Sequence, residues 1–202
     1  MYLDLLVVAI IRLRAEVLRP TQEGEGVSAV VVLQGVGEMR AGRWIRHIFG
    51  QFSPALRRMR SELGDIEQAI SVSESQHTGQ ICFAIEPGLT VSELWKGVAS
   101  RQRAEQVFSH LGVWNTEHNN GVLIYLLLAD RKIEIVADRG IARMVTPEQW
   151  TEICHLIEAQ CRKGKIAAGI VQGVEQVGSY LHEFFPGAPS SADSLSNRPV
   201  IV

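Results

Sequence analysis

Two polar pairs bracket consecutive apolar runs in this chain: Asn119-Asn120 stands before VLIYLLLA, and Asp138-Arg139 follows IEIVA. If those runs pair as an antiparallel hairpin, the start of the first lies beside the end of the second. The four polar side chains then converge at one edge of a sheet. Oxygens of Asn119, Asn120 and Asp138 suit a hard cation such as Ca²⁺ or Mg²⁺, and Arg139 suits a phosphate or carboxylate. The competing reading is structural, because Asn in loops and Asp at strand ends commonly cap turns. The set holds a single carboxylate, whereas Ca²⁺ sites typically use several oxygen ligands.

The opposite edge of such a sheet offers Glu86 and the turn Asp130-Arg131. It would carry the carboxyl ends of two parallel strands, the usual ligand side of an open α/β sheet. Two carboxylates and an arginine there could bind a cation or a phosphate, while Asp130-Arg131-Lys132 reads equally well as a solvated hairpin turn. Glu74 and His77 share one helix face, as in di-iron bundles, but those need the motif from two helices and a second copy is absent. Cys82, Cys154 and Cys161 lack C-x-x-C spacing and read as buried thiols in a reducing compartment. No G-x-S-x-G elbow, H-E-x-x-H or phosphate-cradling loop occurs, and Gly35-Val36-Gly37 lacks the third glycine of a dinucleotide fingerprint. His118 is the nearest candidate general acid to the Asn119–Arg139 edge.

The elements that would position these residues follow from periodicity. Leu63, Ile66, Ala69 and Ile70 recur at helical spacing, ending near His77-Thr78-Gly79. QICFAIE reads as a strand closed by Pro87-Gly88. Ala104, Val107, Phe108 and Leu111 mark a second helix, which ends at Gly112. VLIYLLLA is continuously apolar and predicts a central strand covered on both faces. IEIVA is its antiparallel return, with a short turn between. Strand, helix, strand over residues 80 to 129 predicts a right-handed parallel crossover. Thr146, Pro147 and Gln149 open a helix with a capping box, striped by Trp150, Ile153, Cys154, Ile157 and Cys161. After Gly164 a last helix carries Ile166, Ile170, Val174, Val177, Leu181 and Phe184. Gly169 and Gly173 inside it predict close packing against a neighbour, since each costs about 1 kcal/mol in helix propensity.

Residues 40 to 60 contain Arg40, Arg43, Arg46, Arg57, Arg58 and Arg60 and no acid, interleaved with Trp44, Ile45, Ile48, Phe49, Phe52 and Leu56. This spacing predicts an amphipathic basic helix. Its arginine face, with Arg43, Trp44 and Arg46, fits an anionic membrane surface. The alternative is that the apolar face docks on the domain. Upstream, residues 1–38 read as an extension of uncertain status, with Met39 a candidate start. The opening apolar run is too short to span a bilayer and has its positive charges on the wrong side for a secretory signal. A cytoplasmic location, with peripheral contact to the inner membrane as the variant, follows. GAPSSADSLSNRPVIV, residues 187–202, has the composition of a disordered tail.

The bulk numbers exclude some classes. The 202 residues suffice for one domain, and 20 basic against 22 acidic residues give a net charge of -2. No whole-chain field points to nucleic acid.

NNGVLIYLLLADRKIEIVADRGI, preceded by E-x-x-H-x-G and RAEQVFSHLGVW and followed by GKIAAGIVQGV, resembles the TPM domain family in element order over residues 60–186. The resemblance implies an α/β fold: a three-layer α/β/α sandwich on a small mixed sheet of about four strands with C-terminal helices. It also implies acid-phosphatase-like activity, divalent metal binding and roles in membrane-protein maintenance or stress. Where many relatives carry Asp-Asn-Gly this chain has Asn119-Asn120-Gly121, and Ala137-Asp138-Arg139-Gly140-Ile141 replaces the usual Gly-Tyr-Gly-Leu-Glu. Loss of an acidic position favours a module binding a ligand, metal or protein partner. The alternative is a metal-dependent hydrolase of phosphate monoesters.

Overall fold

A sheet covered on both faces needs apolar residues at successive strand positions, not alternate ones. In the computed structural model, which describes residues 42–187 and 195–202, β1 (Gln80–Glu86) and β2 (Gly121–Leu127) are buried at every position. β2 runs parallel to β1, with Phe83 opposite Ile124, and pairs antiparallel with β3 (Lys132–Ala137), with Ile124 opposite Ile135. The expected crossover and hairpin are therefore present in a four-stranded mixed sheet ordered β3-β2-β1-β4.

Strand parity separates two cores. Ile81, Phe83, Ile85, Ile124 and Leu126 face α3 (Leu63–Glu74), α7 (Pro147–Arg162) and α8 (Ile166–Phe184). Cys82, Ala84, Leu123 and Tyr125 point the other way, against Ala104 and Val107 of α5 (Ser100–His110). The capping box at Thr146 and Gln149 forms as the sequence predicts. Gly169 and Gly173 lie against α7: an added Cβ would meet Gln160 at 2.9 Å or Ile157 at 2.5 Å. A short helix the periodicity did not reveal, α4 (Val91–Lys96), is opened by a Thr90–Glu93 capping box.

Two expectations change. Residues 187–202 were expected as a disordered tail, yet Val200–Ile201 form β4, parallel to β1, and the Val202 N–H donates to Ile85 O at 3.0 Å. A β-branched pair this short gives no period, but it satisfies backbone groups that β1 would otherwise expose at an edge. The basic stretch is also not one helix. α1 covers residues 42–48, a 3₁₀ turn follows at Gly50–Phe52, and α2 (Pro54–Ser61) starts afresh, with Ser53 Oγ accepting the Ala55 N–H. Pro54 disfavours helix at the residue before it and suits the first helical turn, so Ser53-Pro54 is a helix start. The described residues belong to one compact unit. The expectations for residues 1–38, for Met39 and for Arg40 lie outside the described residues.

Candidate functional site

Asn119, Asn120, Asp138 and Arg139 meet at the edge where β2 begins and β3 ends. The Asp138 N–H donates to Gly121 O at 2.9 Å, extending the hairpin by one pair. Asp138 then caps α6 (Arg139–Ala142), its Oδ1 accepting the Arg139 N–H at 2.7 Å. Asn119 adopts positive φ (53°), a conformation Asn tolerates better than most residues, and its carbonyl accepts the Gly140 N–H at 2.8 Å. Only glycine fits at 140, because a Cβ would sit 2.5 Å from both His118 O and Asn119 O. The loop is thus seated on the first turn of α6.

The side chains at this edge differ in how they are satisfied. Arg139 Nε donates to Asn119 Oδ1 at 2.9 Å, so that amide oxygen is engaged within the chain. Asn120 is fully buried, and its Nδ2 donates to Thr78 Oγ1 at 3.3 Å. Asn120 Oδ1 and Asp138 Oδ2 are buried with no hydrogen-bond partner among the described residues. Buried carboxylate and amide oxygens are normally paired, because leaving one unpaired costs roughly 1–3 kcal/mol and more when it is charged. An oxygen-only donor set matches what Ca²⁺ and Mg²⁺ take, and does not suit a thiolate- or imidazole-seeking metal. Among the described residues, no group of three or more His, Cys, Asp or Glu is placed to hold a metal, so any cation here leans on amide and backbone oxygens.

At the opposite edge both carboxylates are consumed internally. Glu86, only 3% exposed, receives Arg103 Nε at 2.9 Å and Nη2 at 3.0 Å, and Tyr125 donates its hydroxyl at 2.5 Å. Arg103 also reaches Glu93 at 3.1 Å. Burial first, then the Glu86 contact, hold the Tyr125 phenol above its ordinary range, so it stays a donor. Asp130 is not a solvated turn residue: Arg43 Nη2 approaches it at 2.8 Å and His47 Nε2 at 3.0 Å. Burial alone would raise its carboxyl, but the hydrogen bonds from Arg43 and His47 outweigh that and lower it. Glu86 and Asp130 therefore act as structural anchors, their carboxylates engaged by Arg103 and Tyr125 and by Arg43 and His47.

The same contacts explain where the basic segment goes. Arg43 pairs with Asp130, Arg46 Nε donates to Ala129 O at 3.1 Å, and the Trp44 ring stands edge-on to Trp95 with centroids 5.8 Å apart. All three residues expected at a lipid surface tie α1 to the hairpin turn and α4, and of them Arg43 supplies the countercharge to the partly buried Asp130. No helix among the described residues is long and apolar enough to cross a membrane.

Sequence reasoning dismissed Glu74-x-x-His77 as an incomplete metal motif and missed Ser73. The His77 Nδ1 proton goes to Gly79 O at 3.1 Å, which leaves Nε2 to accept the Ser73 hydroxyl at 3.0 Å. That is the arrangement of an activated serine. It has no room for a substrate, however, because Gly178 of α8 presses directly on Ser73 Oγ. Glu74 Oε1 accepts the Ile81 N–H at 2.7 Å and so joins α3 to β1. Burial pushes the Cys82 and Cys154 thiols up to about 11 and also raises Cys161. None of the three is poised as a thiolate nucleophile.

A family model described as TPM domain matches residues 59–180. The fold is similar to the NMR structure of BA42 protein from the psychrophilic bacterium Bizionia argentinensis, with a TM-score of 0.61 and 30% sequence identity. The match covers 70% of this chain and 93% of that one. No curated protein matches the chain.

Proposed function

This chain belongs to the TPM domain family, and on that premise we propose that it is a binding module for a hard divalent cation, held at the Asn119–Arg139 edge. What supports the reading is the pair of buried oxygens without partners, Asn120 Oδ1 and Asp138 Oδ2. A bound cation would satisfy both, and the Thr116–Asn120 loop would contribute further oxygens. With one carboxylate the affinity belongs to the weak class, with Kd on the order of 10⁻⁴–10⁻³ M.

The test compares melting temperature with and without Ca²⁺ in the wild type and in Asp138→Asn. At roughly 10 mM Ca²⁺ a site of that affinity stabilises by about 1.4–2.7 kcal/mol, a shift of several degrees. Asn keeps the helix cap and removes the buried charge, so the variant melts no lower than wild type without metal and gains nothing from Ca²⁺. Equal gains in the two proteins sink the reading. Hydrolysis of a phosphate monoester would need a base beside Asp138, for which His118 is the candidate. Turnover of p-nitrophenyl phosphate that is lost with chelator and in Asp138→Ala would establish that alternative.

A further inference from the structure

Beside the hairpin turn, and away from the Asn119–Arg139 edge, a cleft of about 980 Å³ opens between the α1–α2 segment and the α7–α8 junction. Its volume falls at the upper end of the roughly 300–1,000 Å³ of small-molecule pockets. Met59, Leu126, Leu128 and Ile166 line it, and Ile45 and Phe49, 46% and 39% exposed, stand at its mouth. Four arginines, Arg46, Arg58, Arg131 and Arg162, share the lining with two glutamates, Glu62 and Glu158. Arg162 pairs with Glu158 at 3.1 Å, whereas Arg46, Arg58 and Arg131 enter no ion pair among the described residues.

We propose that this cleft binds a single-chain anionic amphiphile, a long-chain carboxylate, with its alkyl chain on the apolar lining and its head group among Arg46, Arg58 and Arg131. The charge balance selects the sign of the head group: guanidinium is cationic at every accessible pH and forks onto a carboxylate. The concave apolar lining selects a chain. A flat lipid surface would engage the exposed side chains and leave the buried Leu126 and Leu128 of the lining uncontacted. The site is separate from the cation edge, so the failure of one reading does not touch the other.

The experiment titrates the full chain with butyrate, octanoate and laurate, each below its micellar concentration, and follows amide and methyl NMR shifts. Saturable one-to-one binding is expected, tightening about fourfold per methylene at 0.8 kcal/mol each. Shifts should centre on Phe49, Met59 and Leu128. The double variant Arg58→Glu/Arg131→Glu changes two exposed residues, so an unchanged amide spectrum reports its fold, and laurate affinity should fall at least tenfold. Dodecyltrimethylammonium should bind the wild type more weakly than laurate does. Any of three results overturns the proposal: equal binding of the two amphiphiles, affinity independent of chain length, or sedimentation with phosphatidylglycerol vesicles while monomeric laurate stays unbound.

Discussion

His47 Nδ1 accepts the Leu89 N–H at 2.9 Å, so the proton of the neutral ring sits on Nε2 and is given to Asp130 at 3.0 Å. One imidazole thereby joins α1 to the loop after β1 and to the hairpin turn.

Acidification should break that joint. Protonating Nδ1 would set it against the Leu89 N–H, and burial, the largest cause, already holds the His47 pKa below 6.5; Asp130 raises it while Arg43 and Arg46 lower it. His77 is depressed as well, again chiefly by burial. In the unfolded chain both titrate near 6.5. The unfolded state therefore binds more protons below that pH, and stability is full above it and declines as pH falls through the folded values. Urea midpoints at pH 7.5 and pH 5 should show the loss. His47→Gln, which keeps an acceptor for Leu89 and a donor for Asp130, should reduce it and leave the share due to His77. A wild-type midpoint that rises on acidification contradicts this.

Removing Arg103 should be far more costly than removing an ordinary surface arginine. Its loss strands Glu86, whose side chain is 4% exposed. Breaking one partner of a buried pair costs about 3–5 kcal/mol. Arg103→Met should reach that range in urea unfolding, and Glu86→Gln in the same chain should recover part of it. Additive costs in the double variant would show that the two residues do not act as a pair.

Gly178→Ala should destabilise by about 1–3 kcal/mol through overpacking, since the new methyl collides with Ser73 Oγ. Ser73→Ala removes the clashing oxygen but leaves its Cβ 3.2 Å from the new methyl. The double variant should therefore be more stable than Gly178→Ala alone, though still below wild type. If Ser73→Ala gives no rescue, Ser73 is not what the helix rests on.

The strands and main helices were legible because burial on two faces writes continuous apolar runs, and burial on one face writes a helical stripe. The hairpin register followed, and with it the meeting of Asn119, Asn120, Asp138 and Arg139. What escaped was decided by pairing across long separations. Nothing near Glu86 in sequence announces Arg103 or Tyr125, and Asp130 looks solvated until Arg43 and His47 arrive from 83 or more residues away. Arg43, which read as part of a lipid-facing stripe, is the countercharge of that partly buried aspartate, and Arg46 of the same stripe donates to Ala129 O. β4 was invisible because Val200 and Ile201 owe their conformation to the open edge of β1, not to any period of their own.

The cation reading is tested most directly by a Ca²⁺ titration of the ¹⁵N-labelled chain, repeated with Mg²⁺. Saturable shifts are expected at Thr116 to Gly121 and Asp138 to Ile141, with the Asn120 side-chain amide among them. They should be lost in Asp138→Asn. Saturable shifts confined to other residues, or shifts at this edge that survive Asp138→Asn unchanged, would contradict it.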